Sequence, residues 1–411
     1  MACHQVRAVR PDEWPVYWRA MAQAFRGTAD DVAVWQRILE SDPDNRSDNM
    51  LALTRDGGLI SSCHIAPRMM HYGEALVRVA GIASVFTVVS DQRKGYATAL
   101  LGEAVARLRQ RSFHLAILST TIPGFYHRLG WQTIPRIART WRLRRNARRR
   151  HPAARQFDGI NDLEAVMSIH RAWAPRTVGM LVRSEEFWRR NIWYQEDRAG
   201  FLVGDMRGSA AAYARTRLRP GTREPPGLAT LQEVAWDADP QPLGEVIAAA
   251  LTAASRAGAS LVCEAIPPES LPPHLFEAFA EKDSEKVLPD FMALVLDWQS
   301  LAQALKPAME ARLAAAATPA SEQHIVIIVD GQEVRFRVCP PRVEVEAGSP
   351  LPFRQEHATT IRLDSSGAVR LLFQGWDAAA PAAPGVPHEA TSLLRVMFPR
   401  VSFYHWTQGH Y

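Results

Sequence analysis

The stretch that most constrains the fold runs from Val79 to Ala106 and reads VAGIASVFTVVSDQRKGYATALLGEAVA. Its first part, Val79–Val89, is an apolar run typical of a buried strand, and from Ala97 onward apolar residues recur at helical spacing. Gly95 stands in the polar turn between them. A strand, a glycine turn and a helix start, in this order, aim free backbone N–H groups and the positive end of a helix dipole at one point. That arrangement suits a pyrophosphate.

The turn itself has the order Q-x-x-G-x-A, from Gln92 to Ala97. It lacks the Lys-Ser/Thr pair of a P-loop and the three glycines of the dinucleotide fingerprint. The order resembles the acetyl-CoA-binding motif of the GNAT superfamily of N-acetyltransferases, with an ordinary tight turn as the alternative. The resemblance implies that backbone N–H groups hold the pyrophosphate and that the preceding strand binds the pantetheine arm. The implied cofactor-binding residues are Val85, Phe86, Thr87, Gln92, Arg93, Lys94, Gly95, Tyr96, Ala97, Thr98, Thr121 and Ile122.

A second motif, PGFYHRLGW, occupies Pro123–Trp131 after a short strand candidate at Leu115–Leu118. It resembles the FYxxxGF end of the same acetyltransferase domain, where a tyrosine on a short helix projects at the cofactor sulfur. Tyr126 is therefore the candidate general acid, because a phenol of pKa about 10 can protonate a departing thiolate of similar basicity. The alternative is an aromatic core cluster, which we favour for Phe125 and Trp131.

Composition limits the class of protein. The chain has 411 residues, too many for one core, so two or three domains are expected. With 47% hydrophobic and 22% charged residues, it has the balance of an ordinary soluble globular protein. No apolar run reaches the roughly 18 residues of a transmembrane helix, and the N-terminus lacks the apolar segment of a signal peptide. Four scattered cysteines without a CxxC pair predict a reduced, cytoplasmic protein with no metal and no membrane partner.

The net charge of +5 is partly concentrated in one run of arginines: Arg142, Arg144, Arg145, Arg148, Arg149 and Arg150. Such a run fits a nucleic-acid patch, a solvated connector, or a surface that meets CoA phosphates or a neighbouring subunit. No DNA- or RNA-binding module surrounds the run, so no nucleic-acid partner is expected.

Three domains are predicted, at residues 1–150, 151–295 and 296–411. The second repeats a strand–helix–strand order at Leu228–Trp236, Pro242–Ala257 and Leu261–Ile266. Its turn, Asp237–Pro242, has no glycine and carries two acids that would repel a pyrophosphate. The second domain is therefore predicted to be a copy of the fold without the cofactor. The third is predicted to contain helices, four strands, a further strand at Val369–Gln374 and an Ala/Pro-rich loop at Ala378–Pro387.

This layout resembles the enhanced intracellular survival (Eis) family of acetyltransferases. The resemblance is specific at Val85–Thr98, at Pro123–Trp131, and at Leu393–Pro399 with the C-terminus. It implies an α/β (α+β) fold class, with two fused GNAT acetyltransferase domains followed by a sterol-carrier-protein-like α+β domain. It also implies a homo-oligomer, in this family often a hexamer.

In that family the C-terminal carboxylate works in the active site, and on this chain it belongs to Tyr411. The ending QGHY departs from the family's usual aspartate and final phenylalanine, so His410 is a candidate base of its own. On the second helix, Asp30, Asp31 and Trp35 are candidates for the acceptor pocket. Their alternative is a pair of helix-cap acids and a core tryptophan.

The predicted function is an acetyl-CoA-dependent N-acetyltransferase that acetylates a primary amine, such as an aminoglycoside-like small molecule, by direct attack in a ternary complex. A protein-lysine acetyltransferase differs only in its acceptor, which the sequence does not specify. A non-enzymatic carrier of lipid or another hydrophobic ligand, using the C-terminal domain, is the third alternative.

Overall fold

The computed structural model describes residues 4–144, 154–192, 201–206, 209–218, 227–237, 239, 241–264, 266–267, 271–316, 321–347 and 358–404. The arginines of the basic run from Arg145 to Arg150, and the chain-end residues His410 and Tyr411, lie outside this set. The described residues form two compact units. The first unit comprises 4–134 and 289–401, and the second comprises 135–288 and 402–404.

The N-terminal part of the first unit contributes five strands and four α-helices. Its strands are β1 (His4–Ala8), β2 (Met50–Arg55), β3 (Gly58–Tyr72), β4 (Ala75–Thr87) and β5 (Leu115–Ser119). Its helices are α1 (Trp14–Phe25), α2 (Ala29–Ser41), α3 (Tyr96–Gln110) and α4 (Pro123–His127). β1 to β4 are antiparallel in sequence order, whereas β4 and β5 are parallel, joined by α3. The strand predicted within Val79–Val89 and the helix predicted from Ala97 onward are confirmed.

The second unit contains the second strand–helix–strand element. Its strands are β6 (Gln132–Leu143), β7 (Ala154–Gln156), β8 (Val178–Leu181), β9 (Phe201–Met206), β10 (Ser209–Leu218), β11 (Leu228–Trp236) and β12 (Leu261–Glu264). Its helices are α5 (Leu163–Trp173), α6 (Glu185–Phe187), α7 (Gln241–Arg256) and α8 (His274–Glu277). The sheet order is β6-β12-β11-β10-β9-β7, with β11 and β12 parallel and joined by α7.

The C-terminal part of the first unit begins within the long strand β13 (Ala280–Val295), whose end pairs antiparallel with β5. A separate four-stranded sheet follows, formed by β14 (Gln323–Val329), β15 (Gln332–Cys339), β16 (Arg342–Ala347) and β17 (Thr359–Leu363). Its helices are α9 (Trp298–Ala304), α10 (Lys306–Ala315), α11 (Ser365–Gln374), α12 (Trp376–Ala379) and α13 (His388–Met397). The inward side chains of β14, Ile325, Ile327 and Val329, are at most 2% exposed.

Two predictions for this C-terminal part are wrong. Val369–Gln374 is not a strand but the second half of α11, because Asp364 caps the helix by accepting a hydrogen bond from Gly367 N at 2.6 Å. The Ala/Pro-rich segment is not all loop, since it begins in α12, where Ala379 is buried. The three-domain division stays a prediction, because residues 4–134 and 289–401 belong to one compact unit. No described helix is long and apolar enough to cross a membrane.

Two arginines of the basic run can be placed. Arg142 forms an ion pair with Asp283 at 2.5 Å, and Arg144 with Glu281 at 3.5 Å, all within the second unit. Their charges are therefore matched by acids on β13. This fits the connector interpretation better than a nucleic-acid patch.

Candidate active site

A gap opens between the parallel strands β4 and β5. Their pairing runs from Val79↔Leu115 to Gly81↔Ile117 and stops there, although β4 continues to Thr87. The register between β3 and β4 shifts just beyond this point, and Ser84 has φ +49°. In the described part of the chain, the last residues of β4 pair with β3 alone. One edge of β4 therefore remains open for an added strand.

The turn after β4 holds a helix N-terminus open. Arg93 and Gly95 both adopt left-handed backbone angles, with φ of +63° and +83°, and α3 begins at Tyr96. Ala99 is the residue whose N–H returns to Gly95 O, at 3.0 Å. The N–H groups before Ala99 are the unpaired donors that every helix start presents. A Cβ built on Gly95 meets no atom within 4 Å, so the space in front of the turn is free.

The charged side chains around this turn partly pair with one another. Lys94 Nζ donates to Ser90 O and to Asp91 Oδ1, both at 2.9 Å. The hydrogen bonds from Lys94 and Ser90 lower the pKa of Asp91. Arg55 also reaches Asp91, at 3.3 Å, and donates to Tyr96 Oη at 2.9 Å. Within the described residues the Arg93 guanidinium makes no ion pair, so it is the cation most available to an incoming phosphate.

Gln92 and the residues before α4 border the gap between the strands. Gln92 Nε2 donates to Thr87 O at 3.3 Å, so the side chain joins the turn to the end of β4. Beyond β5, Ile122 N donates to Thr120 Oγ1 at 3.1 Å, and the Ile122 side chain is 60% exposed. Thr120–Ile122 thus follow directly on the end of β5, after the pairing with β4 has stopped.

Tyr126 lies on α4 at the edge of the apolar core of this part of the first unit. Its ring packs edge-to-face against Phe125 and Trp131, with centroids 4.9 and 6.1 Å away. It belongs to the same packed cluster as Cys63 and Val85. The Tyr126 hydroxyl makes no hydrogen bond to any described residue. Burial, and then the neighbouring Cys63 thiol, raises the pKa of Tyr126 to about 12. The fold thus brings a hydroxyl without a hydrogen-bond partner among the described residues into the same cluster as Val85 of β4.

The acceptor candidates on α2 have structural contacts. Asp31 accepts hydrogen bonds from Thr28 N and Thr28 Oγ1, both at 2.7 Å, and closes a capping box at the helix start. Trp35 stacks edge-on against Phe25 at 6.2 Å and lies against Gly27. Asp30 is exposed. The cap-and-core alternative therefore describes Asp31 and Trp35, and His410 and Tyr411 lie outside the described residues.

Sequence reasoning missed three groups near the gap: Arg55, Cys63 and Tyr17. Tyr17 is fully buried on α1 and contacts Phe86 of β4 edge-on, with centroids 5.3 Å apart. Burial raises the pKa of Tyr17 well above its usual value. The helical spacing of Tyr17 and Met21 marks a core face, but nothing local indicates that this face meets β4. Among the described residues, no three His, Cys, Asp or Glu side chains lie together as a metal site would require.

The corresponding turn of the second unit is closed by its own acid. Gln241, the first residue of α7, donates its N–H to Asp239 Oδ1 at 2.8 Å. Asp237 precedes it in the same turn. A carboxylate already occupies this helix start, so a pyrophosphate would meet both repulsion and a competing acceptor.

Comparison with known proteins finds a family match in the N-terminal part of the chain. Residues 5–134, which form the N-terminal part of the first unit, match the family model described as an acetyltransferase (GNAT) domain. This N-terminal part of the first unit therefore resembles an acetyltransferase (GNAT) domain.

Particular relatives extend this result. An uncharacterized N-acetyltransferase of Streptomyces avermitilis is 24% identical over 246 residues, which cover 56% of this chain and 59% of the relative. The chain thus spans about three fifths of the length of this curated relative. A GCN5-related N-acetyltransferase from Kribbella flavida superposes with a TM-score of 0.70 at 18% identity, covering 98% of this chain and 97% of that one. Eis1 from Mycobacterium abscessus gives 0.62 at 16% identity, covering 99% and 100%. These solved structures share the fold along the whole chain.

Proposed function

We propose that the protein is an acetyl-CoA-dependent N-acetyltransferase that acetylates a primary amine in its first unit. One observation carries the proposal: the gap between β4 and β5 has an open helix start at one end and the Tyr126 hydroxyl in its cluster. The open edge of β4 could pair with an added strand, the helix start could bind a pyrophosphate, and the Tyr126 hydroxyl could donate to a leaving thiolate. The finer choice of acetyl-CoA over another acyl-CoA rests on the family motif.

The donor would lie along β4. Backbone groups of Val85, Phe86 and Thr87 would hydrogen-bond the pantetheine arm, because that edge of β4 has no partner strand among the described residues. The N–H groups from Arg93 to Thr98, among them those of Tyr96 and Ala97, would hold the pyrophosphate. Thr121 and Ile122 would border the arm near its reactive end.

The reaction would proceed by direct attack. The neutral amine adds to the thioester carbonyl, the C–S bond breaks, and the amide keeps the acetyl group. The amine loses one proton and the CoA sulfur gains one. Tyr126 would donate toward that sulfur, and its pKa of about 12 keeps the hydroxyl protonated throughout the neutral range.

The proton that the amine loses would be taken up at the chain end. By the family resemblance, the Tyr411 carboxylate would receive or stabilise the ammonium proton, with His410 as a further base. Asp30 is the acceptor-side acid left with an exposed carboxylate, since Asp31 caps its helix. Trp35 would supply an apolar wall.

The wider architecture belongs to the same proposal. The β11–α7–β12 element repeats β4–α3–β5 and supports two GNAT-like units. The four-stranded C-terminal sheet with its helices supports a sterol-carrier-like domain. Membership in the Eis family and assembly as a homo-oligomer, such as a hexamer, would follow from this layout. The carrier alternative is not favoured, because the inward side chains of the C-terminal sheet are tightly packed against the core.

The experiment is calorimetric titration of acetyl-CoA into Gly95 variants. Gly95→Asp and Gly95→Asn have nearly the same shape and share the strain of φ +83°, so their difference reports the charge alone. We expect Gly95→Asp to abolish binding and Gly95→Asn to weaken it less. Gly102→Asp, on an exposed face of the same helix, is the control for net charge and should bind normally. Unchanged affinity in Gly95→Asp would remove the proposed site.

A further inference from the structure

The second unit has its own gap between parallel strands. β11 and β12 pair from Leu228↔Leu261 to Leu231↔Glu264, and the pairing stops there although β11 continues to Trp236. The same happens to β4 and β5 in the first unit, and each strand pair is joined by one long helix. The two gaps are therefore equivalent positions of the same fold element.

Tyr404 occupies this second gap. Val234, which lies beyond the last paired residue of β11, donates its N–H to Tyr404 Oη at 3.0 Å. Tyr404 in turn donates its own N–H to Val178 O at 2.6 Å, next to a parallel bridge between Val178 and Phe403. Tyr404 is 3% exposed. A side chain from the end of the chain thus takes the β11 donor that an added strand would otherwise use.

The surrounding residues are shaped for this segment. Gly179, on β8, has φ +116°, and a Cβ there would lie 2.4 Å from Tyr404 O. Only glycine lets β8 and residue 404 approach this closely. Behind them, Arg183 and Glu233 form a buried ion pair at 2.7 Å, and Tyr213 donates to Glu233 at 2.5 Å. Both oxygens of the Glu233 carboxylate therefore already accept hydrogen bonds from Arg183 and Tyr213.

We propose that Ser402–Tyr404 is an anchor segment, which fills the empty donor gap of the second unit and fixes the start of the chain end that follows it. Tyr404 is then a positioning residue for residues 405–411, and the gap serves the chain end instead of acyl-CoA. The anchor stands on the contacts above, and only its catalytic consequence rests on the proposed role of Tyr411.

Carboxypeptidase digestion followed by intact-mass measurement tests the anchor without reference to activity. In the wild-type chain, trimming should stop before Tyr404 is removed. In Tyr404→Ala it should pass residue 404 and slow near Pro399. Tyr404→Phe, which keeps the ring and loses the contact with Val234, should be trimmed past 404 several-fold faster than wild type. Tyr213→Phe removes another buried hydroxyl of this unit and should behave like wild type. Removal of residue 404 at equal rates in wild type and Tyr404→Ala would overturn the anchor.

Kinetics then test the consequence. Tyr404→Ala and a deletion of His410–Tyr411 should each lower kcat on the order of 10²-fold while acetyl-CoA affinity holds, because small misplacements of a reacting group cost that much. The combined variant should be no slower than the deletion alone. If the losses in kcat caused by Tyr404→Ala and by the deletion multiplied in the combined variant, the claim that Tyr404 acts through the chain end would be overturned. A fully active deletion would instead refute the proposed role of Tyr411, and the digestion would still decide on the anchor.

Discussion

Replacing Tyr126 with phenylalanine isolates the proton donor from its surroundings. The ring keeps its edge-to-face contacts with Phe125 and Trp131. The hydroxyl makes no hydrogen bond to any described residue, so its removal leaves no buried partner unsatisfied. Stability should therefore hardly change, and any loss of rate reports on chemistry.

The expected loss follows from the pKa. General acid catalysis typically contributes about 10²–10⁴-fold. A thiol has a pKa of roughly 8.5, so complete proton transfer from a phenol of pKa about 12 is uphill by about 3.5 units, or about 5 kcal/mol. Tyr126 should therefore act mainly by a hydrogen bond to the sulfur as the C–S bond breaks. That places the loss in kcat at the lower end of the range, about 10²-fold.

The assay is steady-state thiol release from pH 6 to pH 10 for wild type and Tyr126→Phe. The ratio of the two rates should stay constant across this range, because the hydroxyl begins to ionise only near its raised pKa. Tyr72→Phe is the control, since it removes a buried hydroxyl that donates to Leu372 O and should cost stability without costing activity. A loss of threefold or less would return Tyr126 to the aromatic core. A ratio that shrinks steadily above pH 8 would refute the raised pKa.

Two further predictions concern charge. Asp91→Asn releases Lys94 and removes a negative charge beside a helix start, so acetyl-CoA should bind about two- to fivefold more tightly at low salt, with exposed Asp48→Asn as the unaffected control. Weaker binding in titrations would show that Asp91 serves to position Lys94. Burial raises the pKa of Glu264 to about 7, so ionisation of this carboxyl should destabilise the fold as pH rises from about 4.5 to 7. At pH 8 the free energy of unfolding in denaturant should therefore be up to about 3 kcal/mol higher for Glu264→Gln than for wild type, whereas at pH 4 the two should be equal. The exposed Glu285→Gln is the control and should show no gain at pH 8. Equal gains for Glu264→Gln at both pH values would contradict the raised pKa.

Local sequence pattern was sufficient to predict the elements that carry the proposed donor site. The apolar run before Gly95 and the helical spacing after it predicted β4 and α3, and the structure confirms both within a residue or two. The Asp56-Gly57 pair between β2 and β3 is a typical hairpin-turn sequence, and both residues adopt positive φ in the structure. Such features depend on neighbours along the chain, which the sequence displays directly.

Helix and strand were confused where apolar residues lay in a short run. Val369–Gln374 reads as a strand on composition, but the cap at Asp364 and burial on several sides make it a helix. Short apolar runs carry no period that separates the two. The cap lies outside the run and decides its conformation.

Contacts between residues far apart in sequence were decided by the tertiary structure alone. Nothing near Tyr126 indicates that Cys63 and Val85 share its cluster, or that burial raises its pKa. Nothing near Tyr404 indicates that it meets Val234, 170 residues earlier. A sequence specifies which side-chain groups a protein contains and which turns it favours. The partners of those groups depend on how distant segments pack, because burial and hydrogen bonding are properties of the folded neighbourhood.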